Sequence, residues 1–123
     1  MLKPDFLILY VADPAASAQF YQDLLGKPPV VALPMFAEFD LAGGMKLGLW
    51  AKRDAQPAPA AAGGGGELAF TVEGRDAVDA AHAGMLQRGV PVIQSPVDMD
   101  FAYTFVLCDP DGHRLRVCAP KPM

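Results

Sequence analysis

The chain has 123 residues, a net charge of −4 at neutral pH, 52% apolar and 20% charged residues. That is enough for one domain with a real core, too few for two independent ones, and too apolar for a disordered chain. A pI near 4.9 excludes nucleic acid as a partner, because a phosphate backbone calls for a basic surface.

The first predicted strand, Phe6–Val11, is an apolar run far short of a membrane span. It lacks a basic n-region and an A-x-A site, so no signal peptide and no membrane partner are expected. Asp13 followed by Pro14 predicts a helix start, and Gly26 with Pro28-Pro29 a stop. Between them Ala16, Phe20, Leu24 and Leu25 fall on one face. Apolar stretches at 30–33, 36–42 and 45–51 follow as strands, with a turn at Gly43-Gly44.

Residues 54–66, DAQPAPAAAGGGG, carry no apolar periodicity and read as a flexible linker. The pattern then repeats. A strand at 67–72 precedes a helix capped by Asp76, with Val78, Ala81, Met85 and Leu86 inward and Gly89 as its stop. Strands at 90–94, 101–108 and 113–118 complete it, the last two joined by a turn at Asp109-Pro110-Asp111-Gly112. The chain is thus β-α-β-β-β twice, an α+β protein with module one at 1–53 and module two at 67–123. Identity between the halves is low, so the repeat is one of pattern. Cys108 and Cys118 flank that last turn at about 16 Å by strand rise, beyond disulfide reach. Free thiols imply a reducing compartment, hence a cytoplasmic protein.

Strand parity is the most informative feature. In MKLGLW, residues 45–50, one face is Met45, Leu47 and Leu49. The other is Lys46, Gly48 and Trp50, the single tryptophan. Strand one sets Leu7, Leu9 and Val11 against Phe6, Ile8 and Tyr10; 67–72 sets Leu68, Phe70 and Val72 against Glu67, Ala69 and Thr71. The last strand sets Leu115 and Val117 against Arg114, Arg116 and Cys118. One face is apolar each time and fits beneath a helix. The other mixes aromatics with charges, which suits a lined, partly desolvated concavity better than a solvent face.

A doubled β-α-β-β-β chain with VADPAASAQFYQDLLG early and FVLCDPDGHRLRV late resembles the vicinal oxygen chelate family. Glyoxalase I, extradiol dioxygenases, fosfomycin resistance enzymes and bleomycin resistance proteins belong to it. YVADPAASAQFY, the LGLW strand and TFVLCDPDGHRLRVC are most similar to its phenazine-type antibiotic resistance branch. The resemblance implies a curved, half-closed mixed sheet and a homodimer in which modules of both chains line each cleft. Enzymes of the family hold a divalent metal with one residue from each of strands one, four, five and eight. On this chain those positions are Phe6, Gly48, Glu67 and Arg116. Only Glu67 offers a ligand atom, and zinc needs about three protein ligands even in a catalytic site. No metal and no other cofactor is expected. His82 and His113 lie off the mixed faces and do not restore a site.

Each candidate has a bland reading beside its functional one. Trp50 is a stacking wall or core filler, and its parity opposite Leu47 and Leu49 favours the wall. Gly48 marks a bulge or leaves a slot for a ligand ring. Tyr10 and Phe6 line the cleft or simply pack. Glu67 and Arg116 form an ion pair in place of the metal, or orient a polar ligand group through the arginine fork. Tyr103 and Phe105, with Phe101, share a face that a four-residue turn sets beside Arg116; a bulge there flips the register. Glu38 and Asp40 read as solvent-facing, and His82 as a helix-surface residue.

The expected function is metal-free sequestration of a flat aromatic small molecule such as a phenazine-like antibiotic, conferring resistance. The alternative is an enzyme of the same family, a lyase, isomerase or oxidoreductase of glyoxalase or dioxygenase type, including a metal-free isomerase with Glu67 as base. The ligand positions favour binding.

Overall fold

Asp13 and Gly26 bracket the first helix as the sequence predicts. In the computed structural model, which describes residues 1–122, α1 spans Pro14–Leu25. Extended backbone at Asp13 lets its carboxylate accept the Ala15 N–H at 3.1 Å, with Pro14 in the first turn. Gly26 closes the helix at φ 74°, a left-handed conformation that favours glycine, and donates to the Gln22 carbonyl at 2.9 Å. The buried stripe is Pro14, Ser17, Ala18 and Tyr21, not the expected Ala16, Phe20, Leu24 and Leu25. Tyr21 wins the core position because its ring reaches Phe39, 6.5 Å between centroids. Phe20 remains half-buried, edge-on to Tyr21, and Ala16 is exposed.

Two compact units make up the chain, Met1–Ala62 and Gly63–Met123. In the first, β1 (Phe6–Val11), β2 (Val31–Ala32), β3 (Phe36–Asp40) and β4 (Lys46–Ala51) form a sheet in the order β1-β4-β3-β2. β1 and β4 are parallel; the other pairs are antiparallel. Val11, Phe39, Leu47 and Leu49 are fully buried on the face that α1 covers. At about 25 cal/mol per Å² of apolar area, a few such side chains anchor a small unit.

The second unit repeats the topology. β5 (Glu67–Thr71), β6 (Val92–Asp98), β7 (Ala102–Cys108) and β8 (Arg114–Pro120) are ordered β5-β8-β7-β6, with β5 and β8 parallel. α2 spans Arg75–Gln87 and buries Val78 and Met85. Ala81 is half-buried, whereas Leu86 is 57% exposed. The helix begins after Gly74 with no side-chain cap. Asp76 sits inside the first turn instead, where its charge still complements the helix dipole. β6 runs to Asp98, beyond the expected 94, through Pro96 and two register shifts. A proline is tolerated there because β6 is an edge strand with bulges.

The two mixed four-stranded sheets and two helices give the doubled β-α-β-β-β pattern expected. The linker is anchored at both ends. Ala55 is 1% exposed and donates to the Ala51 carbonyl, and a Cβ at Gly63 would meet the His113 ring at 2.7 Å. The first unit therefore extends past residue 53 and the second begins before 67. Among the described residues no helix is long and apolar enough to cross a membrane.

Candidate functional site

In the first unit, the sheet face opposite α1 carries a row of aromatic rings. Register places Tyr10 beside Trp50, and Trp50 beside Phe36. Tyr10 and Trp50 lie 6.3 Å apart at 44°, and Phe6 and Phe36 lie 6.4 Å apart at 42°, both within the range of favourable ring contacts. Trp50 and Tyr10 are half-buried, while Phe6 and Ile8 are 39% and 42% exposed. Phe6, Tyr10, Gly48 and Trp50 thus share one face, as strand parity predicts.

Gly48 does not leave an open slot. A Cβ at this position would lie 2.8 Å from Phe6 Cε1 and 2.9 Å from Phe36 Cζ. The two rings lean over the bare backbone from either side and close it. Phe36 is the residue that sequence reasoning missed. Pairing the strands across the Gly43-Gly44 turn places it opposite Trp50, a signal present in the spacing. Lys46, on the same face, pairs with Glu38 at 3.5 Å. Glu38, read as solvent-facing, lies on the aromatic face with its side chain 15% exposed.

In the second unit, the equivalent face of β5 and β8 is charged. Arg116 grips Glu67 with both arms of its fork, Nε to Oε1 at 2.7 Å and Nη2 to Oε2 at 3.0 Å. Arg114 Nη2 adds a third contact to Oε2 at 2.7 Å. Arg116 Nη1 donates to the Thr104 hydroxyl at 3.3 Å, and that hydroxyl donates to the Val117 carbonyl at 2.8 Å. The Arg116 fork, helped by Arg114, holds the Glu67 carboxyl below its ordinary 4.5. Arg116 is raised in turn by Glu67.

Tyr103 and Phe105 are not on this face. The loop between β7 and β8 holds five residues, because Cys108 pairs with Arg114 and the Asp109 N–H donates to the His113 carbonyl. Asp109, 4% exposed, organises the loop by accepting the N–H groups of Asp111 and His113 at 2.9 and 2.8 Å. The expected four-residue turn omits His113, and one residue of slip exchanges the faces. Thr104, Val106 and Cys108 therefore join Arg116. Tyr103 donates to Asp79 of α2 at 2.6 Å beneath the Arg75 guanidinium, and Phe105 is buried against His82, 5.3 Å between centroids. His82 is accordingly a packing residue rather than a surface one.

The four positions that the resemblance assigns to a metal do not fit one. Phe6 and Gly48 bring hydrocarbon and bare backbone, Arg116 brings a cation, and both Glu67 oxygens already accept from arginine. Among the described residues no group of three or more His, Cys, Asp or Glu converges elsewhere. A groove of about 460 Å³ lies on the α1 side of the first unit, between Pro14, Ala18, Leu33 and Arg53, away from the aromatic face.

Known proteins are similar to this chain over nearly its whole length. A phenazine antibiotic resistance protein, EhpR of Enterobacter agglomerans, is 27% identical over 118 residues, 95% of this chain and 92% of that protein. The solution structure of protein ATC0852 from Agrobacterium tumefaciens is 52% identical, with a TM-score of 0.91 over 99% of this chain and all of that one. A glyoxalase-related enzyme from Fulvimarina pelagi has the same fold at 21% identity, TM-score 0.85, over 97% of this chain and 88% of its own. The sequence profile of one superfamily matches residues 3–117, which is nearly all of both β-α-β-β-β units. The chain belongs to the Glyoxalase/Bleomycin resistance protein/Dioxygenase superfamily.

Proposed function

We propose that this protein binds a flat aromatic small molecule, such as a phenazine-like antibiotic, without a metal, and confers resistance by sequestering it. The observation that carries this reading is the half-buried row Tyr10, Trp50 and Phe36, with exposed Phe6 beside it, on the sheet face opposite α1. Rings on the sheet face that α1 does not cover offer stacking surface, and stacking on an aromatic platform contributes about 1–3 kcal/mol per ring. The 27% identity to a phenazine antibiotic resistance protein supports the same ligand class. An isomerase with Glu67 as base is disfavoured, because a carboxylate held low by two guanidiniums abstracts protons poorly near neutral pH.

Calorimetric titration with phenazine-1-carboxylate tests the reading. Saturable one-to-one binding that Trp50→Ala weakens by about 1–3 kcal/mol is expected. Binding untouched by that change would overturn it. We take the protein to work as a homodimer, for which light scattering on the eluting protein should give twice the chain mass; a stable monomer would refute this.

A further inference from the structure

The second unit carries a charge imbalance that ring stacking does not use. Arg114 and Arg116 are two residues apart on β8, so both side chains leave the same sheet face. Both converge on the single carboxylate of Glu67. Two guanidiniums on one carboxylate leave one positive charge uncompensated.

The two arginines are not equally committed. Arg116 is 14% exposed and spends Nε and Nη2 on Glu67 and Nη1 on Thr104. Arg114 reaches Glu67 through Nη2 alone. Its Nε is buried without a hydrogen-bond partner, although the side chain as a whole is 38% exposed. Its neighbour across the ladder, Cys108, brings no competing carboxylate.

We propose that Arg114, backed by Arg116, is a binding site for a small molecule bearing a carboxylate. A planar carboxylate matches the Nη1–Nη2 end of Arg114, where Nη2 keeps a second N–H beside the one given to Glu67, and accepts two parallel N–H bonds there. One surplus positive charge is balanced by one negative charge. A phosphate dianion would overshoot it and would be repelled by Glu67. The site stands on the second unit alone and is independent of the aromatic reading, which Trp50 reports separately.

The test follows the Nε–Hε resonances of Arg114 and Arg116 in ¹⁵N-labelled full-length protein titrated with sodium benzoate, benzamide or inorganic phosphate. Benzoate should shift the Arg114 resonance saturably; benzamide, its neutral counterpart, should not, and phosphate should act more weakly. Arg114→Gln should abolish the saturable benzoate shift at the Arg116 resonance. Arg114→Lys, which keeps the charge but loses the fork, should weaken it, with backbone amide spectra reporting that both variants are folded. Glu67→Gln removes the competing carboxylate and should tighten benzoate up to about fivefold, the reach of a partly exposed charge pair. No saturable shift at Arg114, an equal response to benzamide or phosphate, or no gain in Glu67→Gln would overturn the proposal.

Discussion

Gly48→Ala tests how the aromatic face is held. The added Cβ would lie 2.8 Å from Phe6 Cε1, 2.9 Å from Phe36 Cζ and 3.0 Å from Phe36 Cε1. Ordinary contact begins at 3.4 Å, so the Phe6 ring must retreat by 0.6 Å, the difference between 3.4 and 2.8. Both obstructing groups are ring edges at the far end of their side chains, and Phe6 is 39% exposed. The rings can therefore swing outward, placing the cost near the low end of overpacking, about 1 kcal/mol. Replacing glycine in a strand returns about 0.5–1 kcal/mol. Net stability should stay within about 1 kcal/mol of the parent. In urea, with a slope of about 1–3 kcal/mol per molar, the midpoint should move by less than about 1 M. Ligand binding should nevertheless weaken by about 0.5–1.5 kcal/mol, the scale of one aromatic contact, because Phe36 is the cross-strand neighbour of Trp50. A stability loss above about 3 kcal/mol would mean that the rings are pinned from outside, and that the face is not open to a ligand.

Asp109→Ala removes a buried acceptor of two backbone N–H groups and should cost about 1–3 kcal/mol in urea unfolding; an unchanged midpoint would refute the five-residue loop and the β7–β8 register that follows from it. The Glu67 carboxyl is held below 4.5 by Arg116, so it binds protons less readily folded than unfolded. Its contribution is therefore present above pH 4.5 and is lost as pH falls through the lowered folded value. The parent should lose up to about 1 kcal/mol more than Glu67→Gln on acidification below pH 4.5, after allowance for solvent screening; parallel acid profiles would show the ion pair to be energetically idle.

Much of the fold was legible because two periodicities run cleanly along the chain. The Asp13-Pro14 start, the Gly26 stop and the alternation in 45–50 each have a local physical cause, and the strands they predict are present. What failed depended on tertiary choices. The burial of Tyr21 in preference to Phe20 is decided by Phe39 across the core, which no helical spacing contains. The misplacement of Tyr103 and Phe105 arose from a single loop residue, His113, drawn in by the Asp109 carboxylate. The open slot at Gly48 failed similarly, since parity gives the face of a residue but not the lean of its neighbours' rings. The Glu67–Arg116 pair was legible as chemistry. The second guanidinium on it, from Arg114, was visible only as a parity partner.

The most direct test of ligand stacking uses Trp50 itself, the single tryptophan of the chain, as the reporter. Titration of phenazine-1-carboxylate, with selective excitation of the indole, should quench its emission saturably, because a ring lying against Trp50 couples to it. The dissociation constant so obtained should agree with that from calorimetry, and Phe36→Ala should weaken both. Calorimetric binding that leaves the Trp50 emission unchanged would place the ligand elsewhere and contradict the account, as would no saturable binding at all.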